Sequence, residues 1–129
     1  MIETKSLALT AENISRLLGA EVQLTENYLQ LKKNRKIEAR QSPDMYISWS
    51  LDLTVSYKLQ GTVNEAEVFL LPEELPVFTL ALIQHPILFP TSFSQHLSME
   101  RGMYCIRLKS QEPAEAFAKR LSETLSKLD

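Results

Sequence analysis

An alternation of apolar and polar side chains over residues 45–59, MYISWSLDLTVSYKL, constrains the fold of this chain more than any other feature. Every odd position carries an apolar residue, and after Tyr46 every even position is small or polar. Because successive side chains of a β-strand point to opposite faces of its sheet, this pattern predicts a long strand with one apolar face. We expect that face to form a wall of the hydrophobic core and the other face to be a solvated sheet surface.

The length of this strand limits its shape. Fifteen residues at about 3.3 Å each would span roughly 50 Å, whereas a compact domain of this length has a diameter of about 36 Å. The strand must therefore bend strongly, carry a bulge or be divided by a tight corner. No Gly or Pro lies between Asp44 and Gly61, which favours one coiled strand that lies across two sheets or wraps part of a small barrel.

The flanking sequence predicts the other elements of a single α+β domain over residues 1–129. Shorter strands are expected at residues 21–24, 28–32, 66–71 and 103–109, with turns at residues 32–36 and 41–44. A short N-terminal helix is expected between an N-cap at Thr10 and Gly19. Residues 77–83 are apolar on nearly all sides, which slightly favours a short buried helix over a strand.

The C-terminal helix has the clearest pattern in the chain. Ser110 is expected to cap this helix, and Pro113 is tolerated in its first turn. An apolar stripe for packing on the sheet comprises Ala114, Phe117, Leu121, Leu125 and Leu128. The predicted fold is thus a strongly curved antiparallel sheet of about six or seven strands, a small sandwich or partial barrel, packed by this amphipathic helix.

Composition excludes several functional classes. The formal net charge of −2 argues against binding of a nucleic-acid backbone, which requires a basic face. A single cysteine, Cys105, excludes an internal disulfide and a cysteine-based zinc cluster. The chain starts without the profile of a secretory signal and has no apolar stretch of the roughly 18 to 20 residues that would span a bilayer. We therefore expect a cytoplasmic protein without a transmembrane segment.

No pattern of catalytic residues is visible. His85 and His96 lack the spaced ligands of a metal site, and the P-loop, dinucleotide-binding and G-x-S-x-G patterns are absent. Cys105 lies beside Arg107, whose charge would lower the pKa of the thiol, but no histidine is placed next to it by the sequence. The sequence predicts a protein that is not an enzyme and has no catalytic residues, cofactor or metal, with an enzyme lacking recognisable motifs as an alternative.

The segment YCIRLKSQEPAEAFAKRLSETL, residues 104–125, runs from an alternating strand directly into an amphipathic helix. It resembles the closing unit of pleckstrin-homology-like domains. The resemblance implies a bent β-sandwich plugged at one end by that helix, and the long coiled strand fits such a fold. The N-terminal helix and the proline-rich segment depart from the minimal pattern of that superfold.

Basic residues cluster in a short part of the chain. Five of them fall within nine positions: Lys32, Lys33, Arg35, Lys36 and Arg40. They are candidates for binding phosphate, an acidic peptide or an anionic membrane surface. In lipid-binding pleckstrin-homology domains a basic loop after the first strand binds inositol phosphates, and Lys33-Asn34-Arg35 matches that pattern in part. The alternative is a solvated turn whose charge prevents pairing of neighbouring strand edges.

A proline-framed apolar segment over residues 75–93 is the other candidate site. Its candidate residues for protein interaction are Phe78, Ile87, Leu88, Phe89 and Phe93. If exposed, they form a patch of the kind that marks an interface, and if buried they close one end of the core. The leading hypothesis is a non-catalytic protein-interaction module, an adaptor or a small chaperone-like protein such as bacterial secretion systems use. Self-association through the same patch is a variant, and a pleckstrin-homology-like binder of an anionic lipid or phospho-ligand is the alternative.

Overall fold

A computed structural model describes residues 2–25, 28–40 and 48–128, with side chains described at residues 8–25, 28–36 and 53–128. Within these residues there are three α-helices: α1 (Ile2–Leu18), α2 (Leu75–Gln84) and α3 (Ala114–Ser126). The strands are β1 (Val22–Leu24), β2 (Tyr28–Arg40), β3 (Ser48–Gln60), β4 (Val63–Leu70), β5 (Ser94–Glu100) and β6 (Met103–Gln111). A 3₁₀ turn at Pro72–Glu74 leads from β4 into α2.

All six strands form one antiparallel sheet in the order β1-β2-β3-β4-β6-β5. The sheet is curved but is not closed into a barrel. The predicted α+β class, the curved antiparallel sheet and the helices at both ends of the chain are therefore confirmed. The order of the strands leaves β1 and β5 at the two edges.

The alternating segment forms one strand, as predicted. β3 pairs with β2 along its whole length, from Ser48 opposite Arg40 to Gln60 opposite Tyr28. The described odd residues of β3 are all buried: Leu53, Val55, Tyr57 and Leu59. Residues 45–47 of the predicted strand, the side chains of residues 48–52 and the predicted turn at 41–44 lie outside the described residues.

The predicted turn at residues 32–36 is wrong, because the chain continues there as the middle of β2. Each residue of this basic run has a partner on β3. β3 therefore provides backbone hydrogen-bonding partners for a segment whose charge predicts a loop. Leu29 and Leu31 are buried, whereas Lys32 and Lys36 are exposed. Solvent on one face therefore makes the charges compatible with a strand.

The starts of α1 and α3 differ from the prediction. α1 begins at Ile2, so Thr10 lies inside the helix and not at its N-cap. Gly19 does follow the last helical residue, with a φ of +68° that favours glycine. Ser110 is not the cap of α3, because β6 continues to Gln111 in register with β4 and Pro113 takes the N-cap position.

The core lies between the sheet and a layer of three helices. The predicted stripe of α3 is buried at Ala114, Phe117, Leu121 and Leu125, and Leu128 packs partly against the core. α1 adds Ile14 and Leu18, and α2, which confirms the favoured helix, adds Phe78 and Leu82. The core is therefore closed by apolar residues from both ends and the middle of the chain.

Hydrogen bonds from two residues of α3 define the order of the helices. The Ser122 hydroxyl donates to Leu17 O of α1 at 2.6 Å. The Arg120 guanidinium donates instead to Ile87 O and Leu88 O, which follow α2. Because residues 120 and 122 point to opposite flanks of a helix, α3 lies between α1 and the segment after α2.

Replacing Phe117 by Ala tests the core. Phe117 is 2% exposed, and its ring centroid lies 5.5 Å from that of Tyr57. We expect the variant to lose about 3–5 kcal/mol of unfolding free energy in urea denaturation, because the substitution leaves a cavity. Leu88→Ala is the control, since this apolar side chain is 85% exposed. It should change stability by less than about 0.5 kcal/mol, and equal losses in the two variants would contradict the assigned core.

Candidate functional site

The outward side of α2 is apolar. Its sequence, LPVFTLALIQ, contains no charged residue. Phe78 and Leu82 face the core, whereas Val77 is 44%, Leu80 55% and Ile83 69% exposed. A helix at the surface of a globular domain normally has a polar outer side, and a helix that is apolar all round is normally covered. The exposed side of α2 is therefore a candidate interface.

The segment after α2 extends this apolar region. Leu88 is the most exposed large apolar residue of the described chain, at 85%, and Phe89 is 36% exposed. We call Val77, Leu80, Ile83, Leu88 and Phe89 the α2 surface. Scattered apolar residues are common on protein surfaces, but several of them within thirteen consecutive positions form the kind of patch that marks a binding site.

Arg120 of α3 holds the segment after α2 in place. Its guanidinium is 1% exposed and donates to Ile87 O at 3.4 Å and to Leu88 O at 3.3 Å. The centre of the guanidinium lies 5.1 Å from the ring centroid of Phe89, close enough for a cation–π contact. The ring of Phe89 also stacks on that of Phe93, with centroids 4.1 Å apart. The buried side chain of Arg120 therefore fixes residues 87–89, which have no regular secondary structure.

Glu112 balances the charge of Arg120. The two side chains form a bidentate ion pair, with Nη2 to Oε1 at 2.6 Å and Nη1 to Oε2 at 3.0 Å, and Glu112 is only 6% exposed. The hydroxyl of Ser110 donates to the same carboxylate. A buried charge requires such partners, because isolation from water is costly.

A second polar pair connects this ion pair to the sheet. The Asn64 amide donates to Glu112 O at 2.9 Å and to Ser110 O at 3.3 Å. Its oxygen accepts a hydrogen bond from the Tyr57 hydroxyl at 2.5 Å. Burial, followed by the negative charges of Glu115 and Glu112, raises the pKa of Tyr57 far above its usual value. The hydroxyl therefore stays protonated and acts as a donor. The network fixes the junction between β6 and α3, from which Arg120 reaches the apolar segment.

His85 makes a second attachment of the same segment to α3. Its Nε2 lies 2.7 Å from Glu123 Oε2, and its Nδ1 accepts the Ile87 amide at 3.1 Å. The side chain is 6% exposed. With both ring nitrogens engaged, His85 orients the residues that follow α2, whereas His96 lies exposed on β5.

The structure divides the predicted interaction residues between core and surface. Phe78 is fully buried in the core, so its assignment to a surface site is wrong. Ile87 and Phe93 are half-buried, and Leu88 and Phe89 are exposed. Val77, Leu80 and Ile83 lie within the predicted segment 75–93, but the five candidate residues did not include them, although the lack of charge in α2 was a visible signal. The prediction also missed Leu97 and Met99 of β5, which are 45% and 59% exposed.

Three of the five predicted basic residues, Lys33, Arg35 and Lys36, line one groove, whereas Lys32 does not. Lys33 donates to Leu18 O at 3.0 Å, where a positive charge is favourable at the C-terminus of α1. Arg35 pairs with Glu74 at 2.5 Å, whereas Lys32 and Lys36 are exposed, and the side chain of Arg40 lies outside the described residues. This groove of about 680 Å³ brings several charges together, and its charged lining residues are Arg16, Lys33, Arg35, Lys36, Glu73 and Glu74.

Other chemical groups give no further site. Burial, and then the charge of Glu67, raises the pKa of the Cys105 thiol against the opposing effect of Arg107. The expected lowering by Arg107 is therefore outweighed. Within residues whose placement is described, no group of three His, Cys, Asp or Glu side chains is arranged to hold a metal ion. No helix in the same part of the chain has the length and apolar character needed to cross a bilayer.

Replacing Arg120 by Met tests the buried ion pair. We expect a loss of about 3–5 kcal/mol in urea denaturation, because Glu112 is left buried without its partner. The double variant Arg120→Met/Glu112→Leu should recover part of that loss. Arg107→Met is the matched control, because Arg107 forms an exposed pair with Glu67 at 3.1 Å and should cost about 0–1 kcal/mol. A cost for Arg120→Met no larger than this control would contradict the role of the pair.

Comparison of the chain with models of protein families, with curated proteins and with solved structures finds no match. The resemblance to pleckstrin-homology-like domains stays a prediction, because none of these comparisons tests it.

Proposed function

We propose that this protein is a non-catalytic protein-interaction module, an adaptor or small chaperone-like protein, that binds a protein partner through the α2 surface. The observation that carries the proposal is the uncharged helix α2, with Val77, Leu80 and Ile83 exposed on its outer side. A partner that covers these residues removes apolar area from water at a gain of about 25 cal/mol per Å².

The attachment of the surface to α3 supports this proposal. The contacts of Arg120 and His85 hold Leu88 and Phe89 beside α2 before a partner arrives. Binding then costs less conformational entropy than it would with a flexible segment, because fewer side chains and backbone angles become ordered. We expect the centre of the partner's contact surface to be apolar and poor in charge, since neither α2 nor residues 86–93 offer a counter-charge.

The substitution Leu80→Glu tests the proposed interface. Leu80 is 55% exposed, so the fold should tolerate the carboxylate, whereas an apolar interface would have to bury it. We expect at least a tenfold loss of binding, equivalent to about 1.4 kcal/mol. A partner recovered from the native cells would first be purified, and its affinity for the parent and variant chains would then be measured by calorimetry.

Thr62→Glu is the matched control, because it adds the same charge at the exposed β3–β4 turn, away from α2. This variant should bind like the parent. Both variants should keep the parent's circular dichroism spectrum and unfolding midpoint. Equal partner affinity of Leu80→Glu and the parent would overturn the proposal.

Binding of an anionic ligand on a pleckstrin-homology-like scaffold is the second candidate function. It is favoured by the groove between the end of α1, β2 and the 3₁₀ turn, which four basic residues line. Three of them already have partners: Lys33 contacts a helix carbonyl, Arg35 pairs with Glu74, and Arg16 donates to Asn13 Oδ1 at 2.6 Å. Asn13 carries no charge, so the positive charges of Arg16 and Lys36, both of which are exposed, remain available to an anion.

Lys36→Glu tests this second function. If the groove binds anions, the parent should co-sediment at low salt with vesicles that contain an acidic phospholipid, and the variant should do so several-fold less. Binding should also weaken as salt is added, because exposed charges are screened beyond about 10 Å at 0.1 M ionic strength. Lys119→Glu, an exposed position on α3, is the control and should bind like the parent. No sedimentation of the parent with these vesicles would remove the lipid-binding form of the hypothesis.

A further inference from the structure

β5 is an edge strand without the usual protection. Its seven residues, Ser94–Glu100, pair in continuous register with β6, and among the described strands β6 is its one neighbour. Natural edge strands are usually short, bulged or interrupted by Lys or Pro, which prevents pairing with other chains. β5 contains neither Lys nor Pro. The turn to β6 places Arg101 and Gly102 at φ values of 54° and 79°, which suit a two-residue type I′ hairpin, a turn that matches the twist of the two strands.

One side of β5 is apolar and uncovered. Leu97 lies opposite Ile106 and Gln95 opposite Leu108, and both β6 residues are buried beneath the helices. Since residues directly opposite each other share a face of the sheet, Gln95, Leu97 and Met99 point to the helix-covered side. Leu97 and Met99 nevertheless remain 45% and 59% exposed. The helix layer thus leaves the apolar side of this edge open.

The α2 surface lies toward the same part of the molecule. α1 contacts β1, at the opposite edge of the sheet, and α3 separates α1 from the segment that follows α2. α2 starts near β2, where Glu74 of the preceding 3₁₀ turn pairs with Arg35, and residues 86–93 then lie on the side of β6 and β5. Ser92 of this segment contacts Gln111 of β6 through two hydrogen bonds, at 2.9 and 3.1 Å.

We infer that β5 pairs with β5 of a second copy of this chain, antiparallel and about a two-fold axis at Leu97, with the α2 surfaces adding to the contact. The inference rests on the proposed function and names its partner as a second copy. The two six-stranded sheets then continue into one another through main-chain hydrogen bonds, and Leu97 and Met99 of each copy become covered.

The sequence of β5 is complementary to itself in this arrangement. The register that pairs all seven residues places Leu97 opposite Leu97, Gln95 opposite Met99, His96 opposite Ser98 and Ser94 opposite Glu100. A two-fold interface brings residues near the axis close to their own copies, so a charge at the centre would face a like charge. The one acidic residue of β5, Glu100, falls at the end of the strand opposite a neutral serine.

The size of a stable interface explains the participation of α2. A typical interface buries about 800 Å² on each partner, more than the edge of a seven-residue strand supplies. The uncharged α2 surface can extend the contact without bringing like charges together, which any basic or acidic helix in that place would do. A second copy therefore provides both a complementary strand edge and a complementary apolar surface, whereas an unrelated partner would have to match β5 and the α2 surface separately.

The substitution Leu97→Lys tests the inference by sedimentation equilibrium of the full chain over a range of concentrations. The parent should have twice the monomer mass of 14.7 kDa. The variant should be monomeric, because two ammonium groups would face each other at the axis. Its fold should persist, since a lysine at this half-exposed edge can extend into solvent. Thr62→Lys is the matched control, because it adds the same charge at the exposed β3–β4 turn outside β5, and it should remain dimeric.

Each further outcome bears on the inference. A monomeric parent at all concentrations overturns it, while the proposed function is then decided separately by the affinity of Leu80→Glu for a purified partner. A dimer that survives Leu97→Lys but dissociates with Leu80→Glu overturns the strand pairing and leaves α2 as the interface. Concentration-dependent protection of the β5 amides in hydrogen exchange would support pairing, and its absence in a dimeric parent would contradict it.

Discussion

The pairing of β2 with β3 over thirteen residues is the constraint on which the rest of the structure depends. It places Leu29 and Leu31 beside Leu59 and Tyr57 on one face, and this apolar floor receives α1 and α3. Because the ladder satisfies the backbone of the basic run 32–36, a sequence with four charges in five positions is carried inside a sheet. The other strands extend this frame on both sides.

The frame is connected to the candidate site through polar contacts at the junction of β6 and α3. Asn64 of β4 and Tyr57 of β3 position the backbone at Ser110 and Glu112, and Glu112 in turn holds Arg120. Arg120 then fixes Leu88 and Phe89. A buried ion pair is a poor source of stability compared with apolar packing, but it has one favoured geometry, which suits the positioning of an irregular segment.

The positions of the exposed apolar residues explain why one contact could cover them. The helix layer covers the middle of the sheet, but it leaves Leu97 and Met99 of β5 open, and Leu24 at the β1 edge is exposed as well. The uncharged side of α2 belongs to the same end of the layer. An open strand edge and an open apolar helix are each unfavourable for an isolated monomer, and one symmetric contact would cover both. The groove near Arg16 and Lys36 is chemically different and lies at the end of α1.

The sequence by itself determined the features that follow from local periodicity. The period of two in β3 and the apolar stripe of α3 specify their elements because each pattern repeats along one stretch of chain. Pairing between distant segments decided the rest: residues 32–36 became a strand because β3 lies beside them, and Ser110 stayed in β6 because β4 extends to Val63. The buried pair of Arg120 and Glu112 and the exposure of Leu80 also depend on which surfaces the helices cover. Only the tertiary structure decides this, because burial depends on neighbours that are close in space and far apart in sequence.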